Sequence, residues 1–316
     1  MKVIDLINSS KSTAFSFEIL PPLKGNSIQK VYNVIDKLIE FDPKYINITS
    51  HHSEYIYKTL PDGSFQKVNI RKRPGSVAIA SAIQNKYGVT AVPHIICKGF
   101  TKDETEYALI DLNFLGVYDL LLLRGDVKTL EAGQKTDVYH EHATDLQKQV
   151  NDFNKGIAVD GSTFEANETP FSYGMACYPE KHEEAPNMES DIFYLKEKVK
   201  NGADYLVTQM FFDNEKYYAF VDRCRAEGIT VPIIPGIKPI VFKNQLTVLP
   251  KIFRSDIPEP FATELRKCKT DDEAKAVGVE WCIQQCKDLI AHGVPSLHFY
   301  TMMASESVYK VAKEVY

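Results

Sequence analysis

The chain has 316 residues, 44% hydrophobic and 25% charged, with a net charge of −5. That composition suits one large core or two small ones, and the acidic balance argues against a nucleic-acid partner while leaving room for a local basic pocket. No apolar run approaches the roughly 18 residues of a membrane span, and Asp5 breaks the N-terminal apolar stretch, so neither an anchor nor a signal peptide is expected and the expected compartment is the cytoplasm.

The first predicted strand, residues 14–20, is apolar and stops at Pro21-Pro22, yet it carries Glu18. A charge at the end of an interior strand is costly unless it is paired or used. Either a Lys or Arg holds Glu18, or it serves function. Residues 27–41 then place Val31, Val34, Ile35, Leu38 and Ile39 on one face of a helix. Strands over 45–50 and 90–97 bring polar residues near their ends, Thr49 and His94. The strand over 118–124 is a near-continuous apolar run, as a parallel strand covered on both faces requires, and runs into Arg124-Gly125-Asp126. Gly125 permits close backbone approach to a ligand.

Residues 128–142 and 155–170 are polar and read as loops, the second as an exposed insertion around Asp160-Gly161-Ser162. A strand over 172–178 leads into Tyr178-Pro179-Glu180-Lys181-His182, and a helix over 190–202 buries Ile192, Leu195 and Val199 before the Asn201-Gly202 stop. The strand over 204–212 contains Gln209, an amide that needs partners in an apolar setting. A strand over 231–237 is followed by at least two helical segments within 243–293, then by a last strand over 296–302 with Tyr300 and Met302.

Eight strands alternating with helices predict an α/β fold, a (β/α)8 TIM barrel with extra helices before the eighth strand, in one domain spanning 1–316. A doubly wound open sheet is the alternative; no G-x-G-x-x-G follows the first strand. Barrel active sites lie at the C-terminal strand ends, where these polar residues gather. The six cysteines form no C-x-x-C pair, and Cys282 and Cys286, one helical turn apart, lack nearby ligands in sequence, so no metal is expected. The residues alone point to a barrel enzyme with a Glu and an Asp at its mouth, acting on a planar heterocycle.

Taken in order, the strand ends resemble methylenetetrahydrofolate reductase of the short bacterial type. The resemblance rests on Phe15-Ser16-Phe17-Glu18 with Pro21-Pro22, Asn47-Ile48-Thr49, Pro93-His94, Leu123-Arg124-Gly125-Asp126, Tyr178-Pro179-Glu180-Lys181-His182-Glu183-Glu184-Ala185, Gln209-Met210-Phe211-Phe212-Asp213, Ile234-Pro235-Gly236-Ile237-Lys238-Pro239 and His298-Phe299-Tyr300-Thr301. It implies a flavoprotein oxidoreductase that uses NADH or NADPH and FAD to reduce 5,10-methylenetetrahydrofolate to 5-methyltetrahydrofolate by ping-pong kinetics, in one-carbon metabolism and methionine biosynthesis. It also implies a cytoplasmic homo-oligomer with no nucleic-acid or membrane partner.

By the same resemblance Glu18 is the general acid that protonates N10 of the folate, and Asp126 hydrogen-bonds the pterin and favours its cationic iminium. Gln209, Gln245, Leu249, Tyr300 and Met302 would complete the folate site. FAD would be held by Thr49, His94, Leu123, Arg124, Gly125, Asp126, His142, Ala143, Ala176, Tyr178, His182, Asp191 and Lys198, with Arg124 and Lys198 offsetting phosphate charge. Three positions depart from the family pattern: His142 before Ala143 where a Tyr is usual, Glu197 in place of a basic residue, and Leu249 where an aromatic often stands. The chain stops soon after the barrel, so no control by S-adenosylmethionine is expected. Another barrel enzyme, such as a proline dehydrogenase relative or a folate-binding methyltransferase, and a non-enzymatic flavin- or folate-binding protein are the alternatives.

Overall fold

A computed structural model describes all residues except 52–53, 126–137 and 303, with the side chains of residues 54, 55 and 69 also left aside. Parallel strands β1 (Ala14–Ile19), β2 (Tyr45–Ile48), β5 (Thr90–Ile96), β6 (Asp119–Leu123), β7 (Ser172–Cys177) and β8 (Tyr205–Thr208) stand side by side in that order. The seventh barrel strand is broken into β9 (Ile233–Ile234) and β10 (Gly236–Ile237). Pro235 lies between them and has no N–H to give a ladder. The first piece pairs with β8; the second pairs with β11 (Ser296–Tyr300), which pairs with β1 and closes the circle. The predicted TIM barrel is thus observed, with every predicted strand present within a few residues.

Two layers of apolar side chains follow from strand alternation. Phe15, Phe17, Ile46, Ile48, Leu120, Leu122, Met175, Leu206, Leu297 and Phe299 face outward into the main core. Its helical wall includes α2 (Gln29–Leu38), α4 (Lys102–Phe114), α5 (Ala143–Asn154), α6 (Met188–Lys200) and α7 (Asn214–Ala226). Tyr45, Val92, Leu121, Tyr205, Val207 and Ile234 face inward, packed with Val3 and Ile7 of α1 (Val3–Ser9). This short helix seals the N-terminal end of the barrel; the Val3 N–H donates to Asp119 Oδ1 at 2.8 Å. The sequence reading missed α1, because seven residues with two apolar contacts carry little periodicity. It also missed the antiparallel hairpin of β3 (Glu54–Thr59) and β4 (Phe65–Ile70) that follows β2.

The delayed eighth strand is confirmed. Helices α8 (Gln245–Phe253), α9 (Glu259–Lys267) and α10 (Asp271–Ala291) precede it, and α3 (Ser76–Tyr87) and α11 (Ser305–Val315) complete the set among the described residues. The extra helices bury a side core of Met210, Phe212, Ile240, Leu249, Phe261 and Leu265, with Phe261 stacked on Trp281 at 4.5 Å. Cys282 and Cys286 are buried free thiols on α10, and no metal-ligating cluster occurs among the described residues. No described helix is long and apolar enough to cross a membrane.

Candidate functional site

The C-terminal ends of the strands deliver the polar residues expected there. Glu18 is buried at the end of β1, 8% exposed. Its backbone partners in register are Tyr300 on β11 and Asn47 on β2. Burial lifts its carboxyl from the ordinary 4.5 to about 8, against the lowering pull of the nearby Lys238 ammonium. The acid is therefore held mainly protonated at neutral pH, as a proton donor requires. Lys238, 5% exposed, follows β10, and its own proton is loosened by burial. The sequence reading placed Lys238 in a motif but gave it no role. The available signal was a lysine inside the apolar run Ile233–Val241.

The strands beside Glu18 bury further polar groups. Asn47 Nδ2 and His94 Nε2 are 3.2 Å apart, and Ser16 Oγ and His298 Nδ1 are 3.0 Å apart. Burial pulls both imidazoles down to about 3, with nearby His298 and His51 adding to the effect on His94. His94 is thus neutral, a hydrogen-bond partner rather than a cation. Asn47 Oδ1 and His298 Nε2 are buried without a hydrogen-bond partner among the described residues. Such groups call for a bound ligand or water.

β6, β7 and the loops and helices that follow them carry most of the expected cofactor residues. Thr49 Oγ1 meets His51 Nε2 at 3.2 Å just past β2. Leu123 ends β6 and Arg124 follows it, and the Arg124 guanidinium pairs with Glu184 on the loop after β7. Gly125 has φ +83°, where a side chain would be strained, and even a Cβ would lie 3.4 Å from Ile96. In the loop after β7, the Tyr178 and His182 rings meet edge-on at 4.6 Å, and the His182 N–H donates to Asp191 Oδ2 at 2.8 Å. Lys181 adopts φ +78° in this loop, a left-handed conformation unfavourable for lysine, and its Nζ donates to the carbonyls of His182 and Ala185. Lys198 on α6 donates to the Ala176 carbonyl at 2.9 Å, and burial lowers its pKa. His182, Asp191, Lys198, Ala176 and Arg124 therefore form one contiguous group.

This donor set fits a dinucleotide: hydroxyls, a neutral imidazole, two cations and a glycine that admits close approach. Both cations already have partners within the chain, so phosphate binding would share Arg124 with Glu184. His142 is exposed beside half-buried Ala143 at the start of α5, where its N–H donates to Asp145 Oδ2 at 2.9 Å.

The expected folate residues are distributed less tightly. Tyr300 borders Glu18 directly. Gln209 was expected inside a strand over 204–212, but β8 ends at Thr208 and Gln209 lies one residue beyond it. The segment that follows is irregular because side chains satisfy its carbonyls: Ser255 Oγ donates to Met210 at 2.6 Å, Gln285 Nε2 to Phe211 at 2.9 Å and Trp281 Nε1 to Phe212 at 3.1 Å. Gln245 Oε1 accepts from the Val241 and Phe242 N–H groups, and Leu249 packs in the side core. Met302 is exposed at φ +42°. Asp126 lies outside the described residues.

Comparison with known proteins agrees with the strand-end pattern. The family model for methylenetetrahydrofolate reductase matches residues 2–316. The 5,10-methylenetetrahydrofolate reductase of Escherichia coli K12 is 31% identical over 94% of this chain and 88% of its own length. A probable NADPH-dependent methylenetetrahydrofolate reductase of Caenorhabditis elegans is 30% identical over 99% of this chain, which spans only 43% of that protein. Among solved structures, a Clostridium thermocellum protein described as binding two copies of 5-methyl-5,6,7,8-tetrahydrofolic acid shares the fold at a TM-score of 0.54 and 14% identity, with 98% of each chain covered. A match along almost the entire barrel, together with an enclosed Glu18 at its mouth, shows that the chain belongs to the methylenetetrahydrofolate reductase family.

Proposed function

We propose that this chain, as one catalytic domain, reduces 5,10-methylenetetrahydrofolate to 5-methyltetrahydrofolate with NADH or NADPH as hydride donor, and so supplies methyl groups for methionine synthesis. The observation that carries this reading is Glu18: a carboxyl enclosed at the C-terminal end of β1, with its proton held up to about pH 8. Family membership supports the folate substrate.

FAD, when bound, supplies the hydride relay between the nicotinamide and the folate. The chain's own residues do the rest. Thr49, His94, Leu123, Arg124, Gly125, His142, Ala143, Ala176, Tyr178, His182, Asp191 and Lys198 would hold the cofactor, with Asp126 beside them in sequence. The folate enters over Glu18, with Gln209 on the pterin edge and Tyr300 and Met302 along its wall. Gln245 and Leu249 belong to the same side of the mouth. Glu18 gives its proton to N10, the five-membered ring opens, and the N5 iminium that results accepts hydride at its exocyclic carbon to become the methyl group. Asp126 hydrogen-bonds the pterin and favours that cation. The nicotinamide and the folate use the site in turn, which gives ping-pong kinetics.

Six buried free thiols support a reducing, cytoplasmic setting, and exposed Ile110 and Phe114 on α4 supply apolar surface for a homo-oligomer. The test is the visible spectrum of the purified protein, with NADH and then methylenetetrahydrofolate added anaerobically. Flavin bands that bleach and then return are expected. Bands that bleach and stay bleached would remove the folate substrate, and a protein colourless after incubation with FAD would overturn the reading.

A further inference from the structure

A buried lysine is as costly as a buried glutamate, and this barrel encloses one of each at the same level. β10 pairs with β11 and β11 with β1, with Ile237, Phe299 and Phe17 aligned. The residues that follow are Lys238, Tyr300 and Glu18, three successive positions across the mouth. Neighbouring strands lie about 4.8 Å apart, so the Lys238 and Glu18 backbones are separated by roughly 10 Å, within reach of two long side chains turned toward each other.

The backbone segment that carries the lysine is closely packed on both sides of it. Gly236 lets the Tyr300 ring lie against its backbone, since a Cβ there would be 2.5 Å from the ring. On the far side, α10 approaches so closely that a Cβ on Gly278 would lie 2.0 Å from the Ile240 carbonyl oxygen. Pro239 stiffens the link between them. Among the described residues the carboxyl that acts on the Lys238 ammonium is that of Glu18.

We propose that Lys238 is a positioning residue for Glu18: it stabilises the carboxylate left when Glu18 gives up its proton, and so sets how readily Glu18 acts as an acid. This rests on the acid role proposed for Glu18 above. Burial alone makes a carboxyl a reluctant donor, because the anion it leaves is unsolvated. An ammonium two strands away lowers the cost of that anion without touching the substrate. The other described groups around the pair do not supply this charge. Tyr300 is a neutral phenol, Asn47 on β2 is uncharged, His94 and His298 are neutral, and Cys282 of α10 faces the lysine.

The experiment is a pH titration of the Glu18 carboxyl by difference infrared spectroscopy. The protonated-carboxyl band is assigned by its loss in Glu18→Gln. In Lys238→Met the midpoint is expected to rise by about one pH unit or more, with Lys238→Gln as a second neutral variant, and to return toward wild type in Lys238→Arg. The pH profile of the folate half-reaction should move with it, while the nicotinamide half-reaction keeps its profile. A midpoint unmoved in both neutral variants, or moved equally in Lys238→Arg, overturns the proposal. A midpoint that moves as expected while Glu18→Gln still reduces folate would uphold the coupling and remove the acid assignment instead.

Discussion

The Tyr300 hydroxyl donates to the Thr208 carbonyl at 2.5 Å, spanning the break in the seventh barrel strand. Thr208 in turn accepts the Gly236 N–H on its side-chain oxygen at 2.9 Å. The seam beside Glu18 is therefore closed by side chains where Pro235 interrupts the ladder. Tyr300→Phe removes one buried bond and leaves the Thr208 carbonyl short of a partner, a loss of about 1–2 kcal/mol in unfolding free energy. Denaturant melts check this, and a Tyr300→Phe protein as stable as wild type would show the bond to be idle.

Gly278 marks a second close approach. Gly278→Ala forces its Cβ against the Ile240 carbonyl and must push α10 or the Lys238 segment aside. The expected cost is about 1–3 kcal/mol, together with a shifted pH profile for folate reduction. An unchanged melt would mean that the helix accommodates a methyl group without strain.

Stability should depend on pH through the same buried groups. The Glu18 carboxyl is raised from 4.5 to about 8, so its contribution is fully present below pH 4.5 and is lost as pH rises through about 8. Buried Asp119, raised to about 6, acts in the same direction but is spent earlier. His94 and His298, lowered to about 3, act oppositely: their contribution is present above pH 6.5 and is lost as pH falls through about 3. Between pH 6.5 and 8 the Glu18 contribution dominates this set, with a slope of up to about 1.4 kcal/mol per pH unit. Glu18→Gln should flatten the fall over that interval, read from urea melts at several pH values. An identical slope in both proteins would contradict the burial account.

Asp191 joins the backbone of His182 to the charge of Lys198. Asp191→Ala should loosen the loop after β7 and lower the flavin-to-protein ratio after gel filtration by several-fold, with little change in the melting of the apoprotein. Full flavin retention would separate this group from the cofactor.

The barrel was legible because its strands are buried on both faces and read as apolar runs, as in Asp119–Leu123. The hairpin over 54–70 was harder, because Tyr57 and Phe65 point to solvent and the only strong local sign is the Pro61-Asp62-Gly63 turn. Gln209 was misplaced because Met210-Phe211-Phe212 looks like strand, whereas its carbonyls bond Ser255 in the loop between α8 and α9 and Gln285 and Trp281 on α10, all distant in sequence. At the site, Glu18 stood out as a charge in an apolar strand. Lys238 shows the same anomaly, but its meaning emerges only when β10, β11 and β1 are brought into register.

The most direct test of the central claim is the pair of half-reactions in Glu18→Gln, followed anaerobically by stopped-flow absorbance. Bleaching by NADH should proceed at near wild-type rate, while reoxidation by methylenetetrahydrofolate slows by about 100-fold or more. Reoxidation at near wild-type rate would show that the proton for N10 comes from elsewhere and that Glu18 is not the acid.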